Sequence, residues 1–123
     1  MLDLIIKNGQ CYIEGELKNV DVSVKDGKIQ NIGKISGEAK NIVDAKDLFV
    51  LPGCIDTQTH FREPGSTDTE DLNSGSRAAI VGGITAVFEM PNTNPPTSNK
   101  KEFQRKLDLA KNRMYCNYAF YFG

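Results

Sequence analysis

No apolar run in these 123 residues approaches the roughly 18 needed to cross a bilayer, so a membrane-spanning role is not expected. The stretch Met1 to Lys7 has neither a charged leader nor a small-residue cleavage site, and the expected location is the cytoplasm. An excess of charge of one sign is missing too: 15 basic and 16 acidic side chains are mixed along the chain, for a net charge of -1. Without a basic stripe to neutralise phosphates, nucleic acid is not an expected partner. Cysteine is sparse and odd in number. Cys11, Cys54 and Cys116 lie far apart with no C-x-x-C neighbour, which excludes a zinc ribbon. Each falls in an apolar or strand-like stretch, so all three are expected as small buried hydrophobes. Histidine occurs once, at position 60, and that segment has a better use for it than activating a cysteine nucleophile.

What is present is the mixture of a soluble globular protein, 39% apolar and 25% charged. The first fifty residues alternate short β-rich runs with turn signals: Leu2 to Lys7 and then Asn8-Gly9, Cys11 to Ile13, and Val20 to Lys25 followed by Asp26-Gly27 and Lys28 to Ile32. Asn-Gly and Asp-Gly supply the positive φ values of tight hairpins, so this part is expected as a β-meander. Two more runs, Asn41 to Asp44 and Leu48 to Leu51, complete a small β-sheet domain over residues 1–51.

From Pro52 the rhythm changes to strand, helix, strand, helix, strand. Gly53 to His60 is a strand candidate, and Thr67-Asp68-Thr69-Glu70 is a candidate capping box for a helix from about Asp71 to Val81 that stops at Gly82-Gly83. Ile84 to Glu89 reads as the next strand and Met90 to Thr97, with three prolines, as a rigid loop. Ser98 is the expected cap of a second helix whose Phe103, Leu107, Ala110 and Met114 form one apolar stripe, with Lys100, Lys101, Arg105 and Lys106 on the wet face. Tyr115 to Phe122 reads as the third strand. This alternation belongs to a parallel α/β sheet, doubly wound or closed as a (β/α)8 barrel. Asp56, Gln58 and His60 occupy alternate positions and are expected on one face, which in a barrel looks inward near the catalytic mouth. No G-x-G-x-x-G follows the strand, which argues against the dinucleotide-binding alternative. Glu70 and Asp71 are expected to serve the helix start, where carboxylates interact well with the dipole, in preference to acid/base work.

The segment Pro52-Gly53-Cys54-Ile55-Asp56-Thr57-Gln58-Thr59-His60-Phe61-Arg62-Glu63-Pro64-Gly65 resembles the metal-binding signature of dihydroorotases and their relatives the allantoinases and dihydropyrimidinases, in the amidohydrolase superfamily. The resemblance continues through Glu70-Asp71, Gly82-Gly83-Ile84-Thr85 and Met90 to Thr97. It implies an α/β architecture in which a small amino-terminal sheet (composite sandwich) domain precedes the start of a metal-dependent (β/α)8 (TIM) barrel, here residues 52–123 with three strands and two helices. By the resemblance His60 is a zinc ligand, Arg62 a clamp for a substrate carboxylate and Asn92 a second substrate contact. The family's usual pattern has a histidine where this chain has Gln58, and a glutamine amide is a much poorer zinc ligand than imidazole. Three explanations stand open: a natural subgroup working with fewer metals, a metal-poor inactive homologue, and an engineered change.

Dihydroorotase is the leading reading within the family, because Arg62 and Asn92 suit a substrate that carries a carboxylate. The implied reaction interconverts carbamoyl aspartate and dihydroorotate in pyrimidine biosynthesis by a zinc-hydroxide mechanism with one or two metal ions. Allantoinase and dihydropyrimidinase or hydantoinase are the alternatives within the enzyme class. A non-catalytic homologue acting as a structural partner and a metal-free ligand-binding module are the alternatives outside it. The later ligands and the proton-shuttling aspartate belong to later strands, so no catalytic residue is assigned here. A full barrel needs eight strands and roughly 250 residues. The expectation is therefore a truncated chain, inactive alone, whose partners are the rest of the barrel, a small-molecule substrate and a second copy in a homo-oligomer.

Overall fold

The computed structural model describes residues 1–123 as two compact units, Met1–Pro52 and Gly53–Gly123. The first holds seven strands: β1 (Leu2–Lys7), β2 (Gln10–Ile13), β3 (Glu16–Asn19), β4 (Asp21–Lys25), β5 (Lys28–Gly33), β6 (Ala39–Asp44) and β7 (Phe49–Val50). They form two sheets, ordered β5-β4-β1-β6 and β3-β2-β7. In the first, β1 is antiparallel to β4 and parallel to β6; in the second, β2 is antiparallel to β3 and parallel to β7.

This arrangement corrects the expected meander: the chain changes sheet after β1 and again after β3, and β6 and β7 join by parallel pairing. Asp26-Gly27 does close a two-residue hairpin, with Lys25 opposite Lys28 and positive φ at both turn residues, 51° and 72°. Asn8-Gly9 does not, because β1 and β2 lie in different sheets. Asn8 takes the left-handed conformation, φ 63°, and passes the chain between sheets. Its backbone N–H donates to Asp21 Oδ1 (3.2 Å) and its side-chain amide to Asp44 Oδ1 (2.9 Å), so the bend is fixed by long-range partners. The strand Glu16–Asn19 has a polar sequence without a strand signal; it is made by the Glu14-Gly15 turn and pairing with β2.

The second unit runs β8 (Cys54–Thr59), α1 (Leu72–Val81), β9 (Ile84–Glu89), α2 (Lys100–Ala110) and β10 (Asn117–Phe120). The strands form a parallel sheet ordered β10-β9-β8, the α/β alternation expected of this part. Phe61, Leu72, Val87, Ala110 and Cys116 make the buried core between sheet and helices. Helix α1 approaches so closely that a Cβ on Gly75 would overlap the Phe61 ring, which requires glycine there. The helix starts fall within about a residue of expectation, but other residues cap them. Asp71 caps α1, accepting from Ser74 N (2.7 Å) while Ser74 Oγ accepts from Asp71 N (3.1 Å), so the capping box is Asp71/Ser74 and not Thr67/Glu70. Asn99, not Ser98, caps α2 by accepting from Glu102 N (3.0 Å). Cys11 and Cys116 are buried as expected, whereas Cys54, on the outer strand β8, is exposed. No helix is long and apolar enough to cross a membrane.

Candidate functional site

Two parallel strands bring the candidate residues together at their carboxyl ends. Thr59 pairs in register with Glu89, and the next peptide of β9 closes the seam through Met90 N donating to Thr59 O (2.9 Å). His60 follows the first strand and Asn92 sits two residues past that seam. Their side chains meet, His60 Nδ1 to Asn92 Oδ1 at 2.9 Å. An amide oxygen only accepts, so with Asn92 in this orientation the bond is made by the tautomer of His60 that carries a proton on Nδ1. The sequence resemblance offered Asn92 as a substrate contact; the structure gives it an orienting bond to His60 as well.

The expected common face of Asp56, Gln58 and His60 is corrected by a β-bulge. Asp56 stands opposite Val87 and Thr59 opposite Glu89, so three steps on β8 match two on β9 and the alternation resets. By register Asp56 and Thr59 then share the face of Val87, while Gln58 and His60 remain on the other face. Asp56 instead holds the bulge, its Oδ1 accepting from Gln58 N at 2.9 Å.

Arg62 takes a left-handed backbone conformation, φ 60°, and is exposed. No carboxylate lies within ion-pair distance of it, so the ordinary structural use of an arginine here, pairing with Glu63 or Asp71, is taken by another residue. Arg113 grips Glu63 with both guanidinium nitrogens, Nη1 to Oε1 at 2.7 Å and Nη2 to Oε2 at 3.1 Å, and lies 3.8 Å from Asp71. Glu63 also accepts from Leu72 N (2.9 Å), the first residue of α1. The bidentate bond holds the Arg113 guanidinium charged, pushing its pKa above the usual value. Glu63 and Arg113 thus anchor the loop that displays Arg62.

Lys106 is the main correction. Expected on the wet face of α2, it is 0% exposed and its ammonium meets the Glu89 carboxylate, itself 1% exposed. Lys106 Nζ also donates to Met90 O (3.0 Å) and lies 5.3 Å from the centre of the Phe120 ring. No hydrogen bond of ordinary geometry reaches either Glu89 carboxylate oxygen. Burial pushes the Glu89 carboxyl up from the usual range, and the Lys106 ammonium acts against that shift. A signal was available: residues 103, 106, 107 and 110 follow the three-four spacing of one helix face, so Lys106 belongs to the apolar stripe.

No group of three or more histidine, cysteine, aspartate or glutamate side chains comes together in these residues. The donor set fits one imidazole contribution to a metal site, with the neutral Gln58 amide as a neighbour, and a complete coordination sphere needs ligands from elsewhere.

Residues 49–123 match the model of the amidohydrolase family. An allantoinase of Salmonella paratyphi B is 47% identical over 118 residues, 95% of this chain and 26% of that protein. Among solved structures, the L-hydantoinase (dihydropyrimidinase) of Arthrobacter aurescens superposes with a TM-score of 0.90 at 34% identity, over 100% of this chain and 28% of its own. The D-hydantoinase (dihydropyrimidinase) of a Thermus species gives 0.80 at 28% identity, over 96% and 27%. The chain spans about a quarter of the length of the curated relatives it matches. These relatives are allantoinases and hydantoinases, so the expectation of a dihydroorotase in particular is carried no further than the family they share. The chain belongs to the amidohydrolase family.

Proposed function

We propose that this chain supplies the first ligand-bearing strand of a zinc-dependent hydrolase that opens a cyclic amide ring, of the allantoinase and hydantoinase kind. The observation that carries the reading is the His60–Asn92 bond at the carboxyl ends of two parallel strands, which engages Nδ1 and leaves Nε2 without a protein partner. A ligating histidine with its other ring nitrogen tied down is the arrangement that metal sites use to orient imidazole. The 47% identity to an allantoinase supports a cyclic ureide as the substrate class.

In this reading His60 would hold zinc, Gln58 would offer only its neutral amide oxygen beside it, and the Asn92 side-chain NH2 would remain to donate to a substrate oxygen. Zinc, when bound, supplies Lewis acidity toward the ring carbonyl and toward water. The bulge held by Asp56 aims Gln58 and His60, and the Glu63–Arg113 anchor sets the direction of Arg62. The proton-moving group and the other ligands lie outside these residues.

One observation favours a second reading, dihydroorotase. Arg62 is exposed with no acidic partner, as a clamp for a substrate carboxylate would be, and neither allantoin nor simple hydantoin carries that group on its ring. The test is zinc content by elemental analysis together with turnover of allantoin, hydantoin and dihydroorotate, on the protein as its gene encodes it and on its Gln58→His variant. Opening of allantoin or hydantoin with bound zinc supports the proposal, and turnover of dihydroorotate alone moves it to the second reading. If zinc and turnover appear only in Gln58→His, the hydrolase reading fails for the present sequence.

A further inference from the structure

A buried ion pair is a costly way to fasten a helix to a sheet, since two apolar side chains of similar volume do so without removing charges from water. Helix α2 nevertheless brings Lys106 into its packed face, against Glu89 at the last position of β9. What an apolar residue could not do there is hold the backbone. Lys106 Nζ donates to Met90 O (3.0 Å), and the N–H of the same Met90 donates to Thr59 O (2.9 Å). One ammonium therefore ties together the exits of both strands. His60 is the next residue on one side and Asn92 the second on the other, and they are bonded to each other at 2.9 Å.

We propose that the Glu89–Lys106 pair is a positioning device for the metal ligand: it locks the Thr59–Met90 seam so that His60 and Asn92 meet with the imidazole correctly aimed. Glu89 holds the lysine head in place, and Lys106 transmits that placement to the Met90 carbonyl. Neither residue touches metal or substrate. The inference rests on the proposed zinc reading of His60, and it adds residues that the metal signature does not contain.

The test uses the protein as its gene encodes it, with zinc affinity measured by competition against a chromophoric chelator and unfolding midpoints measured on metal-free protein. Lys106→Met alone strands a buried carboxylate and lowers the midpoint. The double variant Glu89→Gln with Lys106→Met removes both charges, so its midpoint returns toward the parent while its zinc affinity stays about 10- to 100-fold weaker, the usual effect of losing an outer-shell partner. Asn92→Ala, made in the parent and in the double variant, distinguishes positioning from general packing. If the pair acts through the His60–Asn92 bond, removing Asn92 costs zinc affinity in the parent and little more in the double variant. Should the double variant not fold, Glu89→Gln alone takes its place in the same comparison. Parent-like zinc affinity in a folded charge-free variant, or fully additive losses with Asn92→Ala, overturns the inference. A parent that binds no zinc overturns the metal reading itself, which separates the two failures.

Discussion

The two units handle charge in opposite ways. In residues 1–52 the ion pairs are Lys18–Glu16 and Lys40–Asp3, with lysine side chains 41% and 59% exposed. In residues 53–123 two pairs are withdrawn from solvent, Glu89–Lys106 completely and Glu63–Arg113 on the glutamate side. Both withdrawn glutamates stand at a strand exit or in the loop just beyond it, next to the candidate residues His60, Arg62 and Asn92. In the sheet unit the ion-paired lysines stay in solvent, and the carboxylates that do hold backbone, as Asp21 does at Asn8 N (3.2 Å), need no buried cation to do so. At the strand ends of the second unit charge fixes backbone that carries chemistry, and desolvation makes each partner depend on the other.

That contrast can be broken by substitution, beginning with the largest expected effect. Lys106→Met leaves the Glu89 carboxylate buried and unpaired, a loss of about 3–5 kcal/mol by urea unfolding; a loss below about 1 kcal/mol would place the pair with ordinary surface bridges. Arg113→Ala removes two charge-assisted bonds from Glu63, and because the arginine is one-third exposed solvent recovers part of them, leaving a loss of about 2 kcal/mol. It should also loosen the loop at Arg62, visible as faster amide exchange at the start of α1. Asp71→Ala removes the cap of α1 and costs about 1 kcal/mol near neutral pH. Donation from the Ser74 backbone N–H holds the Asp71 carboxyl below its usual value. A depressed folded-state pKa gives stability that is present above the unfolded value and is lost as pH falls through the folded one. The midpoints of Asp71→Ala and parent should therefore converge in acid below the ordinary aspartate range, and a gap that persists there would trace the effect to packing. Smallest of all, Lys40→Ala and Lys18→Ala should leave the unfolding midpoint unchanged at any salt concentration; a measurable loss would show that the sheet unit also depends on its charges.

The outline of the second unit was legible because its signals are local. Helix and strand periods placed Leu72–Val81, Ile84–Glu89 and the start of α2 to within a residue, whereas α2 ends at Ala110, four residues short of the Met114 expected on its stripe; the family signature singled out His60, Arg62 and Asn92. The caps were misplaced because adjacent polar residues, Ser98 and Asn99, are equally able to cap, and the choice between them is made by how the preceding loop lands. Asn8-Gly9 misled because a turn tetrad states only that the chain bends. Whether the next strand returns to the same sheet depended on Asp21 and Asp44, far along the chain.

By itself, then, the sequence determined the alternation of elements, the two-residue turn at Asp26-Gly27, the absence of a spanning helix and the family to which the strand signature points. These follow from periods and turn chemistry that involve only near neighbours. Tertiary structure alone decided that Asp56 leaves the face of Gln58 and His60, that Asn92 bonds to the imidazole, that Arg113 and not Arg62 holds Glu63, and that Lys106 is buried. Each of these depends on which distant group occupies the space at a strand end, and a side chain whose charge can be compensated only by a particular partner does not reveal its burial until that partner is in place.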